Sequence, residues 1–318
     1  MKRLSIALVL LLGIAAATLY LSPATLLTTV QWVELHRAGL SPKQLQVDDL
    51  TIHYYEGGRA DQETLVMIHG FGANKDNWLR FARYFTSDYH VIALDLPGFG
   101  ESSQPDVAYD AASQMERLVR VVKALGLGRV HLIGNSMGGQ IAALYAARHP
   151  QGVASVALVD NAGITPPQQS ELFARLQRGE PNPLVVKTAE DFPRLLDFVF
   201  VDVPSMPKAL QQHFAQQAIA NSGHYENIFR QLVEHPVPLE PELPNIQVPV
   251  LVLWGDRDRT LHVSSVEVMR PLLRQSRVVI MKDCGHVPML ERPEETAGHY
   301  QAFLDNLANS TPSVAKGA

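Results

Sequence analysis

Hydrophobic positions along this chain fall into three regimes, and each predicts a different kind of element. From Leu4 to Leu21 they are nearly continuous, broken by Ser5 and Thr18, and no charged residue occurs from Leu4 to Val33. A run of this length is near the minimum for a helix that crosses a bilayer. Leu26, Leu27, Val30 and Val33 then recur at helical spacing, which predicts a helix continuing out of the bilayer. From about Gln46 the pattern changes to short β-branched runs alternating with helical stretches. Leu50 to Tyr55, Leu65 to His69, Val91 to Leu94, Val130 to Ile133, Val153 to Val159, Val248 to Leu253 and Val278 to Met281 read as strands. Those from Leu65 onward are apolar almost throughout, as expected of strands buried on both faces of a parallel sheet. Helical periodicity covers Ala111 to Leu125, Met137 to Arg148, Ser264 to Leu273 and Pro293 to Leu307. The alternation predicts an α/β fold, with a mostly parallel central sheet and helices on both faces.

The rhythm stops between Ile164 and Leu243, where Pro-punctuated helical segments such as Leu195 to Val203 and Ala209 to Ala220 replace strands. A helical insertion inside a sheet that later resumes reads as a cap. The expected organisation is a transmembrane anchor over 1–24, a juxtamembrane helix over 25–45, a core over 46–163 and 244–308, a helical cap over 164–243, and a flexible tail over 309–318.

Composition narrows the function without naming it. Hydrophobic residues make up 46% and charged residues 19% of the 318, which excludes a disordered chain. The 27 basic and 32 acidic residues leave a net charge of −5, so no electrostatic footprint for nucleic acid exists. The single cysteine, Cys284, excludes an internal disulfide framework and any multi-cysteine metal site. Its neighbourhood reads as buried apolar filling rather than as a nucleophile's. No His, Cys or Asp spacing suggests a metal, and no cofactor is expected. Lys2 and Arg3 precede the apolar run and place the remainder of the chain on the opposite side of the membrane from the cytoplasm. A cleaved signal peptide is the competing reading, with Ala15-Ala16-Ala17 or Ser22-Pro23-Ala24 as the cleavage site. Gly13 and Ala17 form a small-xxx-small pair that would pack two such helices into a homodimer, or would simply face lipid.

The strongest chemical signal is Gly134-Asn135-Ser136-Met137-Gly138, directly after one expected strand and directly before a helix. A turn this sharp strains the backbone at Ser136, and glycines two residues to either side relieve the crowding. The hydroxyl is then presented above the sheet edge at a helix N-terminus, where the dipole favours negative charge. Ser136 is therefore the candidate nucleophile. The second signal, His69-Gly70-Phe71-Gly72, also follows a strand. In a site of this kind that loop donates one backbone N–H to the developing oxyanion and the residue after the nucleophile donates the other. These are Phe71 and Met137, with His69 structural.

The candidate base is His286, in Asp283-Cys284-Gly285-His286-Val287-Pro288 after the last strand. Three other histidines, His224, His235 and His262, fall in loops or in the insertion. The acid that would orient His286 follows the strand before it, in Trp254-Gly255-Asp256-Arg257-Asp258, where either aspartate could serve. Asp160, after the strand Val153 to Val159, is a third candidate. Asp95 to Ser102 carries G-x-G-x-S but lacks a Walker lysine and a full G-x-G-x-x-G, so it reads as a structural loop.

Together, His69 to Gly72, Gly98 to Ser102, Gly134 to Gly139, Gly255 to Asp258 and Cys284 to His286 resemble the α/β-hydrolase fold enzymes, over roughly Leu50 to Leu307. Within them, His69 to Trp78 and Asn135 to Gly139 resemble membrane-anchored monoacylglycerol lipases, bacterial family V lipases and a membrane-bound phospholipase A. The resemblance implies a serine esterase acting on lipid esters at a membrane surface, with no cofactor. It places the acid at Asp258, while some relatives take theirs from the position of Asp160. It also implies a single-pass protein of the bacterial inner membrane, with its catalytic domain in the periplasm and the bilayer as its partner. Leu195, Leu196 and the run Phe198 to Val201 would line an acyl tunnel or simply pack the cap onto the core. A general carboxylesterase and a carbon–carbon hydrolase of ring-cleavage products are the rival activities; the expected anchor counts against the second. Relatives that open epoxides or remove halogens carry aspartate where this chain has Ser136.

Overall fold

The computed structural model of the protein describes residues 23–310. The apolar run from Leu4 to Leu21, the Gly13–Ala17 pair and residues 311–318 lie outside the described residues. Among the described residues, no helix is long and apolar enough to cross a membrane.

Eight strands of the described residues build one sheet: β1 (Leu40–Val47), β2 (Leu50–Gly57), β3 (Thr64–Ile68), β4 (His90–Leu94), β5 (Val130–Asn135), β6 (Val153–Val159), β7 (Val250–Gly255) and β8 (Ser276–Met281). Their spatial order is β1-β2-β4-β3-β5-β6-β7-β8. The strands from β3 to β8 pair in parallel, and β2 runs antiparallel to both β1 and β4. These six parallel strands are the ones expected from Leu65 onward, and β3 to β7 are buried on both faces. β8 departs from that pattern. It is the last strand, with one neighbour, and Ile280 on it is 45% exposed.

Alternation along the strands divides the core into two layers. Val66 and Ile68 of β3 pack with α3 (Ala111–Ala124), α4 (Met137–Arg148) and α9 (Ser265–Leu272). Leu65 and Met67 pack on the other face with α2 (Leu79–Ala82) and with Tyr300, Phe303 and Leu304 of α11 (Pro293–Ser310). Four helices lie between β6 and β7: α5 (Glu171–Gln177), α6 (Asp191–Val199), α7 (Lys208–Ala220) and α8 (Ser222–Glu234). The short α10 (Pro288–Glu291) precedes α11, and α11 takes in residues 309 and 310 of the expected tail.

The helix expected over 25–45 is shorter. It is α1 (Pro23–Ala38), which packs against α7, and it stops where Gly39 turns left-handed at φ 63 with its N–H on the carbonyl of His36 at 3.2 Å. The chain then forms β1, paired with β2 from Leu40↔Gly57 to Val47↔Leu50. Polar periodicity hides this strand: Ser41, Lys43, Gln44 and Gln46 leave both faces exposed, and Pro42 is tolerated because β1 is an edge.

A buried polar network joins α1 to the loop after β3. Gln31 of α1 donates to the Tyr55 hydroxyl at 2.8 Å, and Tyr55 donates to Asp76 at 2.6 Å. Next to it, Lys75 meets Asp95 through its backbone N–H and its Nζ, both at 2.7 Å, and Nζ also reaches Glu101. The Lys75 and Asp95 side chains are only 4% and 0% exposed. Removing one partner of such a pair leaves an uncompensated buried charge, which costs about 3–5 kcal/mol. Lys75→Met therefore lowers the unfolding free energy by that amount, read from the shift of the urea midpoint; a midpoint within error of wild type would contradict this account of the pair.

Candidate active site

Ser136 stands between the last residue of β5 and the first of α4, at φ 57 and ψ −121. Those dihedrals belong to the first central residue of a type II′ turn, a position glycine normally takes. Hydrogen bonds hold the serine there. Its N–H donates to Val159 at 2.9 Å, and its carbonyl accepts from Gln140 at 3.1 Å and Ala162 at 3.0 Å. The flanking glycines are required by contact. A Cβ on Gly134 would lie 2.2 Å from the carbonyl oxygen of Gly138, and a Cβ on Gly138 would lie 2.3 Å from that of Ile68.

Three neighbouring parallel strands, β6, β7 and β8, end in Asp160, the Asp258 loop and the His286 loop. His286 Nδ1 and Asp258 Oδ2 are 2.7 Å apart, and both side chains are buried. An ionised carboxylate can only accept, so Nδ1 carries the proton and Nε2 presents a lone pair. The other Asp258 oxygen accepts from the N–H groups of Thr260 at 2.7 Å and Leu261 at 3.0 Å. Of the two aspartates after β7, it is Asp258 that meets the imidazole. Asp160 is fully buried. Its Oδ1 accepts from the Gly255 N–H at 2.9 Å, and burial, reinforced by the charge on Asp258, holds its carboxyl well above the usual range.

Two residues that position this histidine carry no signal in sequence spacing alone. Asn135 donates from Nδ2 to the carbonyl of His286 at 2.9 Å and to that of Val159 at 3.2 Å, tying the histidine loop to the strand that bears Ser136. Glu291 accepts from the N–H of Gly285 at 3.0 Å and from those of Val201 and Asp202 at 3.2 Å each. It thereby joins the histidine loop to the insertion, as does the His286 N–H, which donates to Val199 at 2.8 Å. Glu291 ends α10, five residues after His286, and its role shows only once the insertion is placed beside it. Asn135 could be found only from the pairing of β5 with β6.

The loop after β3 lies against the elbow: a Cβ on Gly70 would be 3.0 Å from that of Ser136. Phe71 packs edge-on against Phe99, Tyr225 and Phe229. Met137 opens α4, so its N–H has no carbonyl one turn earlier in the helix. His69 is enclosed, with Nδ1 on the carbonyl of Gly70 at 2.7 Å and Nε2 accepting from the Leu96 N–H at 3.0 Å. Both ring nitrogens are occupied by backbone, and burial pushes its pKa down, so it is the neutral support the motif suggested. Asp95 accepts from the Glu101 N–H at 2.9 Å, within the G-x-G-x-S loop. Cys284 is buried, and burial raises its thiol pKa. His224 lies on the carbonyl of Gly98 at 2.9 Å and His262 on Ser264 at 2.9 Å.

A cavity of about 270 Å³ opens above the elbow. Ser136, Phe71 and Met137 form its floor, and Leu172, Phe173, Leu184, Phe229, Leu232 and Val233 of the insertion form an apolar wall. None of Leu195, Leu196 and the run Phe198 to Val201, read as lining a tunnel or packing the cap, is among its lining residues; Phe198 is buried beneath the guanidinium groups of Arg175 and Arg259, and Val201 is 43% exposed.

A mostly parallel sheet with a strained serine elbow at the carboxyl ends of its strands defines a class of α/β enzyme. Residues 63–293 match the family described as alpha/beta hydrolase fold, and the chain belongs to that family. It is similar to Lipase 1 of Psychrobacter immobilis, at 38% identity over 95% of this chain and 97% of the other. Monoacylglycerol lipase ABHD6 of Homo sapiens is 28% identical over 92% of this chain and 91% of its own. Among solved structures, a membrane phospholipase A described as a bacterial virulence factor superposes with a TM-score of 0.90 at 60% identity, over 98% of this chain and 100% of that one.

Backbone strain of the kind stored at residue 136 costs about 1–3 kcal/mol, and glycine carries almost none of it. Ser136→Gly is therefore expected to melt above Ser136→Ala, by calorimetry on the two variants. Equal melting temperatures would mean that the elbow is not strained.

Proposed function

We propose that this chain is a carboxylic ester hydrolase acting on membrane lipids, with Ser136 as nucleophile, His286 as general base and acid, and Asp258 as the carboxylate that orients it. The observation that carries the reading is the serine elbow opening into an apolar cavity, with the His286–Asp258 pair on neighbouring strand ends. The lipases and the membrane phospholipase A to which the chain is similar support the substrate class.

In the proposed cycle, the Ser136 hydroxyl attacks the ester carbonyl carbon while His286 Nε2 takes its proton. The carbonyl oxygen becomes an oxyanion, received by the backbone N–H groups of Phe71 and Met137. Loss of one such donor costs about 3 kcal/mol of transition-state stabilisation. His286 then returns the proton to the departing glycerol oxygen, leaving the fatty acyl group on Ser136. Water activated by the same histidine releases the fatty acid. Asp258 is held by two backbone donors, so it keeps Nδ1 protonated and stabilises the imidazolium without itself taking the proton.

The remaining organisation belongs to the same reading. Residues 1–24 anchor the protein in the bacterial inner membrane by a single span, with Lys2 and Arg3 in the cytoplasm and the core in the periplasm. Residues 164–243 act as a cap whose apolar wall receives the acyl chain. The bilayer is then both support and source of substrate.

The test is fatty-acid release by the full-length, membrane-extracted protein from diacyl phospholipid, lysophospholipid and monoacylglycerol side by side. Release is expected from at least one lipid, and Ser136→Ala lowers it on the order of 10⁵-fold or more with the fold intact. Full activity in folded Ser136→Ala overturns the catalytic assignment. Cleavage of short soluble esters alone, with every lipid untouched, overturns the substrate class and leaves a general carboxylesterase.

A further inference from the structure

Asp160 is a buried carboxyl group for which the hydrolytic cycle has no use. It follows β6, is fully buried, and has a left-handed backbone at φ 44, a conformation aspartate tolerates better than most residues. Only its Oδ1 is satisfied, by the Gly255 N–H at 2.9 Å; Oδ2 is buried with no hydrogen-bond partner. One oxygen of Asp160, one of Asp258 and a ring nitrogen of His286 all lie within 4.8 Å of one another. The other titratable groups that face Asp160 are Glu291 of α10 and the Cys284 thiol. The charges that act on it most strongly, those of Asp258 and Glu291, are both negative.

Two adjacent buried carboxyl groups strongly disfavour double ionisation, so one of them holds a proton. The donors decide which. Asp258 receives hydrogen bonds from Thr260, Leu261 and His286, whereas Asp160 receives one, from Gly255. The charge therefore settles on Asp258 and the proton on Asp160, in line with the raised pKa that burial and Asp258 impose on Asp160. Because Oδ1 accepts from Gly255, the proton belongs on Oδ2, the oxygen with no other partner.

We propose that Asp160 is a permanently neutral acid that donates a hydrogen bond from Oδ2 to Asp258, making it a positioning residue for the carboxylate that orients His286. The proposal rests on the Ser136–His286–Asp258 reading. By sharing the negative charge of Asp258, Asp160 limits how tightly that carboxylate holds the protonated imidazole, and it fixes which oxygen faces the ring.

The experiment compares full-length wild type, Asp160→Val and Asp160→Asn on one ester substrate across pH. Asp160→Val removes a hydrogen bond to a charged group. It is expected to lower kcat about tenfold at nearly constant KM, and to move the acid limb of the kcat/KM profile to higher pH, because Asp258 then holds the protonated His286 more firmly. Asp160→Asn keeps a donor for Asp258 and an acceptor for Gly255, and is expected to recover both effects. Infrared difference spectroscopy of the wild type at neutral pH is expected to show the carbonyl stretch of a protonated carboxyl group that Asp160→Asn lacks. An acid limb that moves to lower pH in either variant means that Asp160 carries a charge, and the proposal falls. An unchanged profile in Asp160→Val overturns it too. Should Asp160→Val fail to fold, the Asn profile and the infrared band decide. The band does not depend on turnover, so its absence counts against Asp160, whereas activity surviving in Ser136→Ala counts against the nucleophile reading alone.

Discussion

The closeness of β5 to α4 beneath Ser136 is the constraint on which the site depends. Gly134 and Gly138 meet where a methyl group on either would lie within 2.3 Å of a carbonyl oxygen. Because Gly138 also abuts the carbonyls of Ile68 and His69, the same contact sets how near the loop bearing Phe71 comes to Ser136. Ser136 and the backbone N–H groups of Phe71 and Met137, the proposed nucleophile and oxyanion donors, are thus positioned by one steric fact about backbone rather than by separate side-chain contacts. The strain at Ser136 is held in place by the sheet, through its N–H on Val159 and its carbonyl under Ala162.

Buried charge around this edge is handled in three ways. Asp95 is matched by a full cation, Lys75, and serves to fasten loops. Asp258 is matched by backbone donors and a neutral imidazole, a weaker set that suits a ring whose charge changes in the proposed cycle. Asp160 is matched by one N–H, too little to support a charge in a dry site. The order of these partners tracks the order of demands: an anchor needs a fixed charge, an orienting group a responsive partner, and a neutral acid almost none.

Much of this was legible in the sequence, for identifiable reasons. Parallel strands buried on both faces leave long apolar runs, and a serine elbow needs glycines at fixed spacing, so β3 to β7, Ser136 and His286 could be read directly. Elements whose logic is tertiary could not. β1 is polar on both faces because it is an edge, so its residues carry no alternating strand signal. Asn135 looks like a spacer within the G-x-S-x-G run, yet its bond to His286 crosses 151 positions. Glu291 resembles any acid at the end of a short helix until three N–H groups from two distant segments converge on it. Asp160 and Asp258 both follow strands, and only the count of donors separates them.

The join between the insertion and the histidine loop has a thermodynamic consequence. Val199 accepts from His286, and Glu291 binds both Gly285 and the segment at Val201 and Asp202, so the two segments share one set of hydrogen bonds. Any ligand that favours one placement of α6 must also favour one placement of the imidazole. By reciprocity, whatever steadies the imidazole raises affinity for that ligand by the same factor. The insertion at Val199 and the loop at His286 then move as one mechanical unit, tied through backbone groups rather than through the residues that line the cavity.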